Sequence, residues 1–479
     1  MAKHNTLNEL FTGIADAIRG KTGTTDPIIA DDFPTAIESI ETGGGSGAAE
    51  KKDVNFYDYD GTLLHSYTVA EAQALTELPP LPESKGLICQ EWNWSLEDIK
   101  AYNRAVDVGA TYTTDDGTTR IYIHLEEGRT SPMLGVCPNG TVTVDWGDGT
   151  TPDVLTGTST STVKWTPNHE YAAPGDYVIR LTVDGEMGFG GDQTASGYIL
   201  CPSSVSSSSS IRYHMYINRV EIGDGVSIIG DYAFRTCVAM SSITVPNNVQ
   251  KINKYAMGGC RQVRCIVIPA GVTMISTYVF SAMSALNIVS IPNSVYSIGS
   301  YVFDECSRVE SIVLPDGITY LSDGIFRSCS NLRSFKIPRK VSVIGSGVWR
   351  GCYTLQSIEI PDGVTAINTY DFNSCLSLRN VKLSSKLTEL PGDLFNSCQS
   401  ITMITVPSSV KTIETRAFQN CYSVRFYDFS NHTVVPTLGH TEAFKGIPAD
   451  CEIRVPAALY DEWIAATNWS TYANYIVAV

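Results

Sequence analysis

Between residues 237 and 421 a cysteine falls every 23 residues: Cys237, Cys260, Cys306, Cys329, Cys352, Cys375, Cys398 and Cys421, with Met283 filling the one gap. Two other rows keep the same step. An aromatic sits three residues earlier (Phe234, Phe280, Phe303, Phe326, Trp349, Phe372, Phe395, Phe418, with Met257 the exception), and a proline nine residues later (Pro246, Pro269, Pro292, Pro315, Pro338, Pro361, Pro407). A helical bundle or a sandwich needs no such clock. Apolar positions that recur in phase every 20 to 30 residues mark a solenoid, in which each coil buries its inner face only by stacking on its neighbours.

With the proline as position zero, an aliphatic residue stands at +3 (Val249, Val272, Val295, Ile318, Val341, Val364, Leu387, Val410) and another at +6 (Ile252, Ile275, Ile298, Leu321, Ile344, Ile367, Leu390, Ile413). Both rows are expected to point inward. A short strand should precede each proline, which ends it because proline has no N–H for the ladder. Gly223 opens the series and Ser384 interrupts it, giving nine coils and, at a strand spacing of about 4.8 Å, a length of roughly 40 Å. The Ile-Pro-x-x-Val-x-x-Ile and Phe-x-x-Cys elements resemble the BspA-type leucine-rich repeats from residue 212 to about 447. That resemblance implies a non-catalytic binding solenoid of the kind found in bacterial surface adhesins. Residues 448–479, with Ile453-Arg-Val-Pro456, Leu459, Tyr460 and Trp463, resemble the terminal cap of the same family. A cap is needed because the last coil would otherwise expose its apolar face and its strand edge.

Of 13 cysteines, nine lie in the repeats and eight keep one phase, so a ladder of small buried thiols is expected in preference to disulfides between coils. There is no Cys-x-x-Cys pair to suggest zinc. Net charge is −16 and no Lys/Arg run exists, which argues against nucleic acid as a partner; no stretch is long and apolar enough for membrane insertion. No cofactor is expected.

The chain divides into a mainly β, multidomain series. Residues 1–42 read as a short helical module, with Leu7, Leu10, Phe11, Ile14 and Ile18 at helical period behind the capping-box pair Thr6 and Glu9. So little apolar surface is marginal alone, and the module needs either copies of itself, making a homo-oligomer, or a docking surface. The stretch from Leu10 to Pro34 resembles a module of tail-region proteins from phages of Gram-positive bacteria. Residues 43–50 form a Gly-rich linker.

Residues 51–102 read as a β spacer, loosely similar to internalin B-repeats, which are β-grasp-like. Within it Asp58-Tyr-Asp-Gly-Thr62 matches the first motif of haloacid-dehalogenase-like phosphohydrolases. That family would make Asp58 a nucleophile and Asp60 a general acid, but it also needs a following parallel sheet, a downstream Lys and an acidic pair. A plain hairpin turn at Asp60-Gly61 is the expectation. Residues 103–201 carry Val142-Thr-Val-Asp-Trp-Gly-Asp-Gly-Thr150 and His169-Glu-Tyr-Ala-Ala-Pro-Gly-Asp-Tyr177, which resemble the two signatures of PKD domains, Ig-like sandwiches. Asp145 and Asp148 offer carboxylates to Ca²⁺, but a turn aspartate more often bonds its own backbone, and the structural role is expected. Residues 202–211 form a Ser-rich linker.

On the solenoid, the strand row two before the proline reads Glu221, Thr244, Val267, Ser290, Val313, Lys336, Glu359, Lys382, Thr405, facing outward with no single-sign field. A second row, two before the aromatic, reads Tyr232, Tyr255, Tyr278, Tyr301, then Gly324, Gly347 and again Tyr370. Stacked tyrosines would make an aromatic ribbon, either contacting a receptor or stiffening the coils. The β modules resemble extracellular ones, yet the first residues lack a secretory signal. A virion component, made in the host cytoplasm and released by lysis, reconciles the two. The reading is a phage structural protein, a tail or baseplate fibre or adhesin, with a head fibre also compatible. Residues 1–42 would contact other virion proteins and the solenoid a host-surface protein or glycan. The alternative is a bacterial BspA-type surface adhesin, and the remote one a phosphatase.

Overall fold

A computed structural model of the chain describes residues 52–190, 199–202 and 213–479. The helical module with Leu7, Leu10, Phe11, Ile14 and Ile18, the Gly-rich linker and the Ser-rich linker from residue 203 lie outside the described residues.

The first described unit is a four-stranded sheet in the order β2-β1-β4-β3, built from β1 (Val54–Tyr57), β2 (Leu63–Tyr67), β3 (Leu87–Trp92) and β4 (Val106–Thr114). The sheet takes in β4, beyond the boundary at 102 expected from sequence, because β4 pairs parallel with β1 and antiparallel with β3. Two short helices belong to this unit, α1 (Val69–Ala74) and α2 (Leu96–Tyr102). Thr68 and Glu71 form a reciprocal capping box at α1, and Ser95 caps α2. Phe56 and Trp92, edge to face at 5.0 Å, lie in the core of this unit. Strand β4 is buried along most of its length on both faces, since its outer face meets the solenoid.

The next unit holds β5 (Thr119–Leu125), β6 (Pro132–Asp145), β7 (Asp153–Thr158), β8 (Lys164–Trp165), β9 (Gly175–Phe189) and β10 (Leu200–Pro202). Strands β6 and β9 pair antiparallel from Val136↔Phe189 to Asp145↔Arg180. The alternating residues Ile121, Ile123, Val142, Val144, Ile179 and Leu181 fill its interior.

From Ile217 the chain winds into a solenoid with two parallel strand rows. One begins with β11 (Ile217–Glu221) and the other with β12 (Val226–Ile229). The β5–β10 unit extends both rows: β5 pairs antiparallel with β11, and β9 pairs parallel with β12. It therefore caps the first coil, which would otherwise expose two strand edges and an apolar face. One core runs without a break from strands β5, β6 and β9 through the solenoid to the C-terminal tryptophans. The two units are joined by sheet and core, not by the 202–211 segment alone.

The coils number about 11 rather than nine. The 23-residue clock slips after Phe418, whose stacking partner in the next coil, Phe444, comes 26 residues later. Ser430 and Pro456 hold the missed proline positions. The +3 and +6 rows are buried throughout. At the C-terminus the strand Glu452–Val455 pairs parallel with Phe426–Asp428 and with Ile476–Ala478. A helix at Tyr460–Ala465 and the buried Trp463 and Trp469 close the core, with Trp469 Nε1 donating to the Pro436 carbonyl at 2.7 Å.

All 13 cysteines are free. Most of the ladder thiols donate to the carbonyl of the aromatic residue 26 positions earlier, one coil back: Cys329 to Phe303 at 3.1 Å, Cys352 to Phe326 at 3.2 Å, Cys398 to Phe372 at 3.0 Å. The column thus needs a small apolar residue with one weak donor, which describes cysteine.

Candidate functional site

The tyrosine row occupies a position where each coil turns with positive φ: Tyr232 (61°), Tyr255 (55°), Tyr278 (59°), Tyr301 (59°) and Tyr370 (67°). This left-handed geometry accounts for Gly324 and Gly347 in the same row, because glycine adopts it without strain. Tyr232, Tyr255, Tyr278 and Tyr301 come together as a stack with centroid separations of 5.3, 4.5 and 4.9 Å and interplanar angles of 12°, 5° and 7°. Ring faces are therefore occupied by neighbouring rings, and the ribbon presents edges and hydroxyls. Tyr301 ends the stack by lying over the next coil, where a Cβ on Gly324 would sit 2.2 Å from its ring. Tyr370 stands apart, three coils on.

Cations flank the ribbon. The Arg235 guanidinium lies 4.8 Å from the Tyr255 centroid, and Arg327 lies 5.1 Å from Tyr301 while forming a two-pronged pair with Asp304. Burial raises the Asp304 carboxyl above the usual range despite that guanidinium, and partial burial raises the Tyr278 phenol.

The outward strand row is divided by the first unit, which sequence reading missed. Glu221, Thr244, Val267 and Ser290 are buried and Val313 packs against the unit's core, whereas Lys336, Glu359, Lys382 and Thr405 are exposed. The proline row gives the first unit its points of attachment. In a parallel ladder the carbonyl of the residue before one proline faces the nitrogen of the next coil's proline, which has no hydrogen to give. Ile268, Ile291 and Leu314 are left in that state, and the first unit supplies the missing donors. Asn93 Nδ2 reaches Ile268 O at 2.8 Å, Trp94 Nε1 reaches Ile291 O at 2.9 Å, and Tyr102 OH reaches Leu314 O at 3.0 Å. Arg104 pairs with Asp316 beside them. Gly109 allows the close approach, since a Cβ there would meet Val267 at 2.5 Å.

The remaining singled-out residues have structural partners. Asp58 and Asp60 sit in the turn between β1 and β2, where Gly61 N donates to Asp58 O and Thr62 N to Asp60 Oδ1. The chain then runs back antiparallel into β2, so the motif forms the turn of a hairpin. The two sandwich motifs meet: Trp146 stacks on His169 at 4.4 Å, and His169 Nε2 lies 2.9 Å from Asp148 Oδ2. Asp148 Oδ1 accepts from Thr150, and Asp145 Oδ1 from Gly147 N, so both carboxylates bond their own turn. Desolvation opposes charge on Asp148, yet the bonds from Thr150 and His169 hold its carboxyl below the usual range. Among the described residues no cluster of three or more His, Cys, Asp or Glu is arranged to hold a metal, and no helix is long and apolar enough to cross a membrane.

Several solved structures are similar to the chain. A leucine-rich cell surface protein of Faecalibacterium prausnitzii A2-165 is 22% identical, with 50% of this chain and 73% of that one covered at a TM-score of 0.33. The T. pallidum leucine-rich repeat protein is 26% identical over 32% of this chain and 72% of that one, at 0.30. A leucine-rich repeat protein of Bacteroides ovatus ATCC 8483 is 19% identical over 70% and 98%, at 0.38. No curated protein matches the chain. The model of the BspA type leucine-rich repeat region matches six copies, over residues 207–333 and 321–446, about half of the chain. The buried aliphatic rows, the thiol ladder and this match agree, and the chain belongs to the BspA type leucine-rich repeat family.

Proposed function

We propose that this protein is a non-catalytic adhesin of the BspA type, displayed at a cell surface, whose solenoid binds a protein or glycan of a host. The family match favours this surface role over the virion fibre. The observation that carries the binding role is the half-exposed tyrosine ribbon, where four stacked rings offer a rigid row of hydroxyls between arginines. Rigid amphipathic side chains of this kind bind at small entropic cost. Changing Tyr255, Tyr278 and Tyr301 to Asn, a residue that tolerates positive φ, tests the role. Binding of the purified protein to host cells should fall at least tenfold while the fold persists. Unchanged binding together with a lowered melting temperature would make the ribbon a stiffening element and remove it as the binding surface.

A second reading keeps the same solenoid and places it on a phage particle, with residues 1–42 as the anchor. The similarity of Leu10–Pro34 to phage tail-region modules favours it. Detection of the chain in purified particles, and its loss on deleting residues 1–42, would decide for the virion.

A further inference from the structure

In a chain of net charge −16, one edge of the solenoid gathers arginines. A trough of about 600 Å³ is lined by Arg219, Arg261, Arg264 and Arg308 with Ser241, Ser242, Ser284 and Gln262, and Asp60 of the β1–β2 turn forms its rim. It runs on, through the shared Arg264, Ala285 and Arg308, into a second trough of about 710 Å³ that reaches Asn287 and Asn331. Among the described residues, the side chains of Arg261, Arg264 and Arg308 have no hydrogen-bond or ion-pair partner and stand exposed. Arg379 and Arg425 continue the same edge in later coils, also exposed. Exposed like charges repel, so the folded chain gains nothing from this row by itself.

We infer that this edge is a binding site for a linear acidic polysaccharide. Arg379 and Arg425 hold the same repeat position two coils apart, which at the strand spacing places them about 10 Å from each other, and Arg264 and Arg308 lie two coils apart at positions two residues out of phase. That interval suits a polymer with one carboxylate or sulfate per disaccharide. The serines, Gln262 and Asn287 between the arginines suit its hydroxyls, and Asp60 accepts a further one. Nucleic acid fits less well: a duplex carries a charge every ~1.7 Å, and Asp60, Glu310 and the overall negative charge oppose so dense a polyanion. This site deepens the proposed adhesin role and takes its biological setting from it.

The test is binding of the full chain to hyaluronan, chondroitin sulfate, neutral dextran and single-stranded DNA at low salt. Hyaluronan or chondroitin sulfate should bind, more weakly as salt rises, and dextran should not. Chondroitin sulfate carries a carboxylate and a sulfate per disaccharide where hyaluronan carries the carboxylate alone, so equal binding assigns recognition to the carboxylate and tighter chondroitin sulfate binding adds the sulfate. Arg264→Gln with Arg308→Gln should weaken binding at least tenfold at unchanged melting temperature; Arg379→Gln with Arg425→Gln is the parallel variant should the first pair fail to fold. Absence of binding to both polysaccharides, or binding unaffected by these substitutions, overturns the site. Tighter binding of DNA would reassign it to nucleic acid. Host-cell binding is measured on the same samples: cells bound without polysaccharide binding sinks this inference alone, and polysaccharide bound without cell binding sinks the adhesin role alone.

Discussion

Replacing Asn93 by Leu removes the centre of the contact between the first unit and the solenoid at nearly constant volume. The side chain is 2% exposed and makes four hydrogen bonds. It donates to Ile268 O (2.8 Å) and Ser290 O (3.3 Å), and accepts from Gly109 N (2.9 Å) and Ser290 Oγ (3.0 Å). Two of these partners have other bonds to fall back on. Ser290 O still accepts from Ile268 N, and Ser290 Oγ still donates to Asp107 O. Gly109 N and Ile268 O do not, because the residue facing that carbonyl is Pro292. Each buried group left unsatisfied costs about 1–3 kcal/mol, so the pair costs about 2–6 kcal/mol. For a unit of this size 1 kcal/mol lowers the midpoint by about 4–8 °C, which puts the shift at about 8 °C or more. Calorimetry reads the transition, and hydrogen exchange reads the Gly109 amide, which should exchange faster. A variant that melts with the wild type and keeps Gly109 protected would refute the account of the proline row and its borrowed donors.

Three further outcomes are expected. Cys352→Ser keeps a donor for the Phe326 carbonyl, which also accepts from Cys329 N, and should cost under about 1.5 kcal/mol in urea unfolding; a cost above about 3 kcal/mol would show that the hydroxyl finds no partner in the column. Gly324→Ala combines a left-handed backbone with a clash on Tyr301 and should cost about 2–4 kcal/mol, falling to about 1–2 kcal/mol in a Tyr301→Asn background; strict additivity would contradict the ring's placement. Burial pushes the Cys306 and Cys421 thiols from near 9 up to about 12. Between those values the folded chain holds protons that the unfolded chain has lost, so stability is full below about pH 9 and falls above it. The slope is about 1.4 kcal/mol per pH unit for each thiol, and a flat stability profile from pH 9 to 11 would contradict their burial.

The solenoid was legible because its rule is one-dimensional. Every coil repeats the same inward positions, so a row such as Val249, Val272, Val295 declares both the period and the buried face, and the aromatic and cysteine rows confirm it. The same rule failed where the period changed: the longer step from Phe418 to Phe444 hid the last coils. Sequence spacing also placed the tyrosines in one row, but their left-handed backbone and the lodging of Tyr301 over Gly324 depend on how successive coils sit on each other. What lies on a solenoid's outside obeys no repeat. Asn93, Trp94 and Tyr102 are far in sequence from Ile268, Ile291 and Leu314, and nothing local in either segment announces the other. Only the folded chain decides that the first unit covers Thr244, Val267 and Ser290 while Lys336, Glu359 and Lys382 stay open. The sequence determined the coil and its core through local periodicity; the tertiary structure decided which surface remains for a partner, because that choice is made by contacts between segments with no shared period.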